Sequence, residues 1–326
     1  MQVTNRYGMH PLYHAMAQAS VVGWRPDPLA PHISQLCGDS PRIFALGYVH
    51  WDEIEVDCRD LYPSLLGTAW HAAMFEEADQ TAAGALAEQR HKATLPNGVT
   101  VVGRPDFLER IGGDIQACTD VYRLTDWKHD SFAACNGGLK DSHRLQARAY
   151  VWLCAQHGIN VTEAIVCHFA TDWYLGRAKR GAQGYPATPQ TAFNVPLPAV
   201  GIGLEEELAA IEEWLTVRST EYHAACRDYA APGGSLPPLC TEAERWADKG
   251  CWQVKSKSRK RSLKNCASYE EAEEYRDGYL RENGSVNATS VTIEQKPGED
   301  TRCVYCHVAP FCDYAIEQGY VEGAGR

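Results

Sequence analysis

Two strand-forming segments in the middle of the chain carry polar residues that a fold must bring together. The segment GVTVVGRPDFLERI ends at a Gly-Gly turn, and VYRLTDWKH follows it. Both segments are rich in β-branched and aromatic residues, so the pattern predicts an antiparallel hairpin. Because side chains alternate along a strand, Asp126 and Lys128 are expected on one face of the second strand. Asp106 lies at a Gly-x-Pro-Asp turn within the first segment.

Carboxylates on neighbouring strands can share one divalent cation. Mg²⁺ and Mn²⁺ prefer oxygen ligands, so Asp106 and Asp126 are candidate ligands, and the backbone carbonyl of Trp127 is a third. A lysine beside such an ion can orient or deprotonate an attacking water and offset phosphate charge. We therefore interpret Lys128 as a candidate catalytic residue. An isolated Asp-x-Lys pair is nevertheless common on ordinary strands, so this interpretation depends on the rest of the chain.

Composition limits the classes of protein to consider. The chain has 326 residues, 44% of them apolar, and a formal net charge of −11. This charge argues against a protein that coats nucleic acid but allows an enzyme with a local basic groove. No apolar run is long enough to span a bilayer, and the first residues lack a secretory signal. We therefore expect a cytoplasmic protein without a membrane partner. Clustered cysteines among the thirteen then indicate metal ligands before disulfides.

Periodicity predicts an α/β fold. Helices are predicted at Leu65 to Ala78, at Ser142 to Gly158 with Ser142 or Asp141 as the N-cap, and from Leu204 to Ala230. The stretch APGGSLPP at Ala231 to Pro238 then breaks the long helix. Beyond the break, the order strand, strand, helix, strand predicts a small ββαβ module at 246–296. We expect three parts: 1–240, this module, and a C-terminal segment at 297–326.

The module contains a basic run. Between Cys251 and Cys266 there are six basic residues and no acidic ones. We predict that this run binds the DNA backbone and that the Trp252 ring stacks on a base. A solvated hairpin loop is an equally good interpretation of such a charge run. The six residues are Lys255, Lys257, Arg259, Lys260, Arg261 and Lys264.

Four motifs in order resemble one enzyme superfamily. GTAWH at 67–71, GRPD at 103–106, DWK at 126–128 and QARAY at 146–150 resemble the PD-(D/E)XK nucleases, in their RecB-like branch. That branch includes CRISPR-adaptation exonucleases, the AddB nuclease domain and phage exonucleases. The resemblance covers roughly residues 30 to 175. It implies a restriction-endonuclease-like core, with a central mixed sheet flanked by helices.

The resemblance also assigns roles to individual residues. It implies that His71, Asp106 and Asp126 bind Mg²⁺ or Mn²⁺ and that Lys128 is the catalytic lysine. Gln146 and Tyr150 would support that lysine or hold the DNA backbone. The family more often has Glu where this chain has Asp126, and either carboxylate can bind a metal ion.

Three cysteines near the C-terminus have the spacing of metal ligands. Cys303, Cys306 and Cys312 follow the pattern C-x₂-C-x₅-C, and a tetrahedral site needs one more ligand. The resemblance implies a 4Fe-4S cluster that Cys37 completes, acting as a structural staple between the chain ends. A zinc ion with His307 or Cys37 as the fourth ligand is the alternative.

The resemblance implies a divalent-metal-dependent deoxyribonuclease. We expect an exonuclease that acts on single-stranded DNA or free DNA ends, in phage recombination or DNA processing within a bacterial host. One alternative is a non-catalytic DNA-binding protein that kept the fold. Another is a nuclease subunit that works only with a recombination protein partner, since the chain has no Walker-type GxxxxGK[ST] of its own.

Overall fold

The structure, a computed structural model, describes residues 1–81, 85–113, 120–181, 185–284 and 288–321. The chain divides into two compact units, Met1–Pro238 and Leu239–Arg326. The second unit therefore contains both the predicted module and the predicted C-terminal segment, of which residues 322–326 and 285–287 lie outside the described residues.

The first unit combines eight described helices with nine described strands. Its helices are α1 (Pro11–Ser20), α2 (Ile33–Gly38), α3 (Pro41–Val49), α4 (Tyr62–Thr81), α5 (Phe132–Asn136), α6 (Asp141–Ala155), α7 (Leu175–Lys179) and α8 (Ile202–Ala230). Its strands are β1 (Gln2–Thr4), β2 (Glu55–Asp57), β3 (Leu86–Ala87), β4 (His91–Thr94), β5 (Thr100–Gly103), β6 (Phe107–Gly112), β7 (Val121–Asp130), β8 (Asn160–Ala170) and β9 (Gln190–Val195).

A mixed five-stranded sheet lies at the centre of this unit, in the order β3-β6-β7-β8-β9. The pair β7–β8 is parallel, whereas β6–β7 and β8–β9 are antiparallel. Helix α6 packs against β7 and β8, and α4 packs against β3 and β7. The α/β fold with a mixed central sheet flanked by helices is thus present as predicted.

The predicted hairpin is present, but its first segment is two strands. Strand β5 pairs with β4, and β6 pairs with β7. Arg104, Pro105 and Asp106 separate β5 from β6, because a proline cannot donate to a sheet ladder. Gly103 is required at this break: a Cβ there would lie 2.6 Å from the Leu153 side chain and 3.0 Å from that of Tyr150.

Helix α6 contributes much of the core of the first unit, and its residues from Ala149 to Cys154 are all buried. Its alanines and large apolar residues, including the fully buried Trp152 and Leu153, pack with Val166 of β8 and Leu215 of α8. The helix begins at Asp141, and its N-cap is Lys140. The prediction of Ser142 or Asp141 as the N-cap is therefore wrong, because the chain already turns into the helix at Asp141.

The second unit has a small three-stranded sheet and a separate pair of short strands. The strands of this unit are β10 (Ala247–Asp248), β11 (Cys251–Ser256), β12 (Lys264–Cys266), β13 (Val291–Lys296) and β14 (Glu299–Asp300). The helices of this unit are α9 (Glu242–Arg245), α10 (Tyr269–Glu282), α11 (Thr301–Val304) and α12 (Asp313–Glu317). Strands β12-β11-β13 pair in that order, and α10 packs on them. The element order strand, strand, helix, strand is as predicted. None of the described helices in either unit has the length and apolar character needed to cross a bilayer.

Candidate metal-dependent active site

Asp106 is held where β6 begins, beside the middle of β7. Pairing between the two strands ends at Phe107 and Thr125, and the Asp106 side chain continues the contact beyond that point. Its Oδ2 accepts a hydrogen bond of 2.6 Å from the backbone N–H of Trp127. Only 7% of Asp106 is exposed. Where backbone pairing between β6 and β7 ends, the buried Asp106 carboxylate therefore takes over the contact with β7.

Asp126 and Lys128 lie on the same face of β7, as the alternation of the strand predicts. The Lys128 Nζ is 2.8 Å from Asp126 Oδ2. Asp126 is fully buried, and its Oδ1 has no hydrogen-bond partner among the described residues. A buried carboxylate oxygen without a donor is costly unless a cation or a proton compensates it. This oxygen is therefore a strong candidate for a metal ligand.

A hydrogen-bonded chain connects Lys128 to helix α6. The Lys128 Nζ donates to Gln146 Oε1 at 3.2 Å, and Gln146 Nε2 donates to the Tyr150 hydroxyl at 3.1 Å. Gln146 and Tyr150 are one helical turn apart, so they lie on the same face of α6. The structure thus brings together all three residues, and the helix orients the lysine through its glutamine.

His71 reaches the site from α4 and contacts Glu88, a residue that the sequence motifs did not indicate. The His71 Nδ1 is 2.9 Å from Glu88 Oε1 and 3.5 Å from Asp106 Oδ1. One ligand atom from each of these three residues lies within 4.8 Å of the others. The second oxygen of Glu88 is 2.6 Å from Arg104 Nε, within the GRPD motif. Glu88 thus joins His71 and Asp106 in a group able to hold a metal ion.

Glu88 adopts a backbone conformation that is unusual for its residue type. Its φ is +53°, in the left-handed region, and its N–H donates to the Asp106 carbonyl at 3.1 Å. Such strain at a non-glycine residue concentrates at functional sites. No motif marks Glu88 in the sequence, because its proximity to Asp106 depends on the pairing of β3 with β6.

The charges of the site alter its protonation. Burial, together with the charge of Asp126, raises the pKa of Asp106 to about 7. Burial alone would lower the pKa of Lys128, but the charges of Asp126 and Asp106, together with the hydrogen bond to Asp126, outweigh burial, so the pKa is raised. The hydrogen bond to Glu88 raises the pKa of His71. Without a metal ion, the site therefore retains protons that a divalent cation would displace.

The residues of this site fit a hard divalent cation. Asp106, Asp126 and Glu88 offer carboxylate oxygens, which Mg²⁺ and Mn²⁺ prefer, and His71 adds one nitrogen. Trp127, whose carbonyl we expected as a further ligand, has its ring edge-on to that of His71, with centroids 6.1 Å apart. The same ring stacks on Phe107 with centroids 5.7 Å apart. The role of its carbonyl stays a prediction.

Cys37 lies near this site in the first unit. The charges of Lys128 and Asp126 act on its thiol, and burial raises the pKa of that thiol to about 12. These neighbours were not expected for a residue predicted to complete the cysteine cluster. The residue belongs to α2, whose Leu36 and Ile33 are fully buried in the core of the first unit.

In the second unit, a different cysteine lies beside the C-terminal three. The charges of the Cys240 and Cys312 thiols contribute to a raised pKa of Cys303. Those of Cys240 and Cys303 contribute in the same way to the pKa of Cys306. The antiparallel pair β10–β14 returns the chain to this point after the module, with Ala247 opposite Asp300. This pairing explains why sequence spacing could not indicate Cys240.

Arg245 and Asp300 support this group of thiols, which we call the four-cysteine group (Cys240, Cys303, Cys306 and Cys312). The Arg245 Nη1 donates to the Cys240 carbonyl, and its Nε is 3.1 Å from Asp300 Oδ2. The Tyr314 hydroxyl donates to the same carboxylate oxygen. Burial raises the pKa of the Cys303 thiol to about 11 and that of Cys306 to about 12. Thiolates would therefore form here only with a compensating cation.

The basic run of the module divides into two kinds of residue. Lys255 pairs with Glu294 at 2.7 Å, and Lys264 pairs with Glu271 at 2.9 Å. The remaining four are exposed in the loop between β11 and β12, and no ion pair joins them to a carboxylate of the described chain: Lys257, Arg259, Lys260 and Arg261. We call these four residues the basic loop.

Trp252 lies at the other end of β11. The Trp252 ring is partly buried against the module core and meets Tyr269 edge-on at 4.9 Å. Its side chain thus already contributes to the packing of the module. The predicted stacking of this ring on a base stays a prediction.

Comparisons with known proteins give only a weak structural similarity. No protein-family model matches the chain, and no curated protein matches it. The crystal structure of SSO0001 is similar with a TM-score of 0.40 and 14% identity, over 64% of this chain and 84% of that one. A TM-score this low does not establish a shared fold family.

Proposed function

We propose that the protein is a divalent-metal-dependent deoxyribonuclease with a restriction-endonuclease-like core, of the RecB-like PD-(D/E)XK type. The observation that carries this proposal is the convergence of Asp106, Asp126 and Lys128 at one buried point of the sheet. His71 and Glu88 supply further ligands there. Residues of this kind, with an unsatisfied carboxylate oxygen beside a charged lysine, suit hydrolysis of a phosphodiester.

In this proposal Asp106, Asp126, Glu88 and His71 hold Mg²⁺ or Mn²⁺. The ion would stabilise the negative charge that develops on the phosphoryl group. Lys128 contributes a fixed positive charge and N–H donors, because its pKa is raised and Gln146 orients its Nζ. It therefore serves to position the attacking water and to neutralise the phosphate. Tyr150 is 5% exposed and acts through Gln146, as a positioning residue.

We further propose that the four-cysteine group holds a 4Fe-4S cluster, with Cys240 rather than Cys37 as the fourth ligand. The support is the electrostatic interaction among these thiols, of which Cys312 is buried and the other three are partly buried, within one unit. A cluster held by four thiolates would tie the start of the second unit to its last helices. A zinc ion at the same four thiolates is the alternative.

The proposed substrate is DNA with free ends, and single-stranded DNA in particular, in phage recombination or DNA processing. The support for a nucleic-acid substrate is the basic loop in a chain with a net charge of −11. Backbone phosphates are the ligands that such an exposed cationic loop attracts. Comparison of DNA labelled at the 5′ end with DNA labelled at the 3′ end would measure the polarity of digestion.

The test is cleavage of end-labelled linear DNA and covalently closed circular DNA with Mg²⁺ or Mn²⁺. We expect label to be lost from linear DNA only. This loss should not occur with the Asp126→Asn variant or in the presence of chelator. Cleavage of the circular DNA at an equal rate would exclude an exonuclease but keep the metal-dependent site. Binding of DNA without any cleavage under either metal would favour the non-catalytic DNA-binding alternative or a subunit that needs a recombination partner.

A further inference from the structure

Three side chains that the proposed active site does not use converge at the end of strand β7. Asp130 is the last residue of β7, His168 lies on β8 opposite Lys128, and His143 is in the first turn of α6. One ligand atom from each of the three lies within 4.8 Å of the others. We call this group the Asp-His-His site.

The buried imidazole of His168 lacks one of the two hydrogen bonds that such a group normally makes. His168 is fully buried, and its Nε2 has no hydrogen-bond partner among the described residues. Its Nδ1 is 2.8 Å from Asp130 Oδ2. His143 Nδ1 is also buried and unpartnered within the described chain. Buried polar groups are rarely left unsatisfied, so these atoms indicate a missing ligand.

The neighbouring residues favour the protonation states that bind metal ions. Burial and the charges of Lys128 and Lys140 lower the pKa of His143 to about 3, which leaves its imidazole neutral. Burial would raise the pKa of Asp130, but the hydrogen bonds from His168 and Lys140 together outweigh burial and lower this pKa to about 2. Lys140 Nζ lies 3.1 Å from Asp130 Oδ1, so it orients the carboxylate while Oδ2 faces the two histidines.

We propose that the Asp-His-His site binds a transition-metal ion of the Zn²⁺ class. Two imidazoles and one carboxylate form a donor set that suits Zn²⁺, whereas Mg²⁺ prefers oxygen ligands alone. The three ligands come from β7, β8 and α6, so the ion would fasten the start of α6 to the sheet. Lys128 is two residues before Asp130, and Gln146 is three residues after His143. The ion would thereby fix the two elements whose Lys128–Gln146 hydrogen bond orients the lysine.

The test counts bound zinc in the full-length chain by elemental analysis after dialysis against buffered Zn²⁺. The variants are His143→Ala and the isosteric Asp130→Asn, with His157→Gln as the matched control. His157 is exposed just beyond α6, and a glutamine can still donate to the Lys92 carbonyl that His157 contacts. Because the four-cysteine group is intact in all four chains, any zinc that it holds cancels in the comparison.

The parent chain and His157→Gln should each bind about one more zinc ion than His143→Ala and Asp130→Asn. Zinc should also raise the melting temperature of the first two chains only. The same difference should persist in an Asp126→Asn background, which separates this site from the proposed nuclease site. Equal zinc content in all four chains would overturn the proposal. If His143→Ala does not fold, the isosteric Asp130→Asn decides the outcome alone.

Discussion

The buried carboxylate of Asp106 accepts a hydrogen bond from the backbone N–H of Trp127, the residue between Asp126 and Lys128. This single contact fixes the turn after β5 to the centre of β7. It places two carboxylates so near each other that the charge of Asp126 contributes to the raised pKa of Asp106. A backbone hydrogen bond therefore sets the geometry of the site, and it holds two carboxylates close enough to repel each other.

The raised pKa of Asp106 predicts a pH-dependent stability in the presence of chelator. Between about pH 4 and about pH 7, the folded chain binds a proton on Asp106 that the unfolded chain has released. Rising pH therefore favours unfolding across this window. Asp106→Asn removes the titration and keeps an oxygen for the Trp127 N–H. We expect the variant to gain stability relative to the parent chain, by a few kcal/mol at pH 8.

Urea unfolding at pH 5 and pH 8 measures this difference. Addition of Mg²⁺ or Mn²⁺ should restore much of the stability that the parent chain loses at pH 8, because the ion replaces the proton. An equal change in the unfolding free energy of both chains between the two pH values would contradict the assignment of this titration to Asp106.

Loss of the Lys128 charge should slow cleavage strongly without unfolding the protein. We expect Lys128→Ala to reduce the cleavage rate by a factor on the order of 10²–10³, because a fixed charge beside the reacting phosphate is lost. Lys92→Ala, at an exposed position of β4, is the control and should cleave normally. Rates measured on end-labelled DNA under single-turnover conditions make the comparison. Near-parental cleavage by Lys128→Ala would remove the residue from the mechanism.

His71 and Glu88 should govern metal affinity rather than DNA affinity. Glu88→Gln weakens the contacts that hold His71 and Arg104, and we expect the metal concentration for half-maximal cleavage to rise about 10-fold or more. DNA affinity measured with chelator should remain at the parental value. Glu109→Gln, on the neighbouring strand β6 and paired with Arg123, is the control. An unchanged metal requirement in Glu88→Gln would show that Glu88 is not part of the metal site.

Cysteine substitutions should separate the two candidate ligand sets. After anaerobic purification, we expect Cys240→Ala and Cys306→Ala to lose iron, labile sulfide and the brown colour. Cys37→Ala should keep all three, because the thiol of Cys37 lies beside Lys128 and Asp126. The reverse pattern for Cys37 and Cys240 would restore the ligand set that the family resemblance implies. Stoichiometric zinc without iron in the parent chain would identify a zinc site instead.

The basic loop should contribute long-range attraction to DNA. Reversal of Lys257, Arg259 and Arg261 to Glu should weaken binding and lower the slope of log affinity against log salt, by about 0.7 for each lost contact with single strands. Lys255→Ala combined with Lys264→Ala is the control, because both residues are already paired within the module. Parental affinity and slope in the triple variant would assign the loop another role, such as docking a protein partner.

The sequence by itself determined those features that depend on local periodicity. Alternation along β7 put Asp126 and Lys128 on one face, and the 3.6-residue period of α6 did the same for Gln146 and Tyr150. The ββαβ order of the module was likewise evident from successive segments. These relationships span a few residues, so they follow from backbone geometry that is common to every strand or helix.

The tertiary structure decided which distant residues complete each site. Glu88 reaches Asp106 through the pairing of β3 with β6, and Cys240 reaches Cys303 through the pairing of β10 with β14. The Asp-His-His site needs three separate elements to meet. Such encounters follow from the packing of whole elements, in which many small contributions outweigh any one local preference. The spacing of residues in the sequence does not indicate these contacts, because the segment between two contacting residues can have any length.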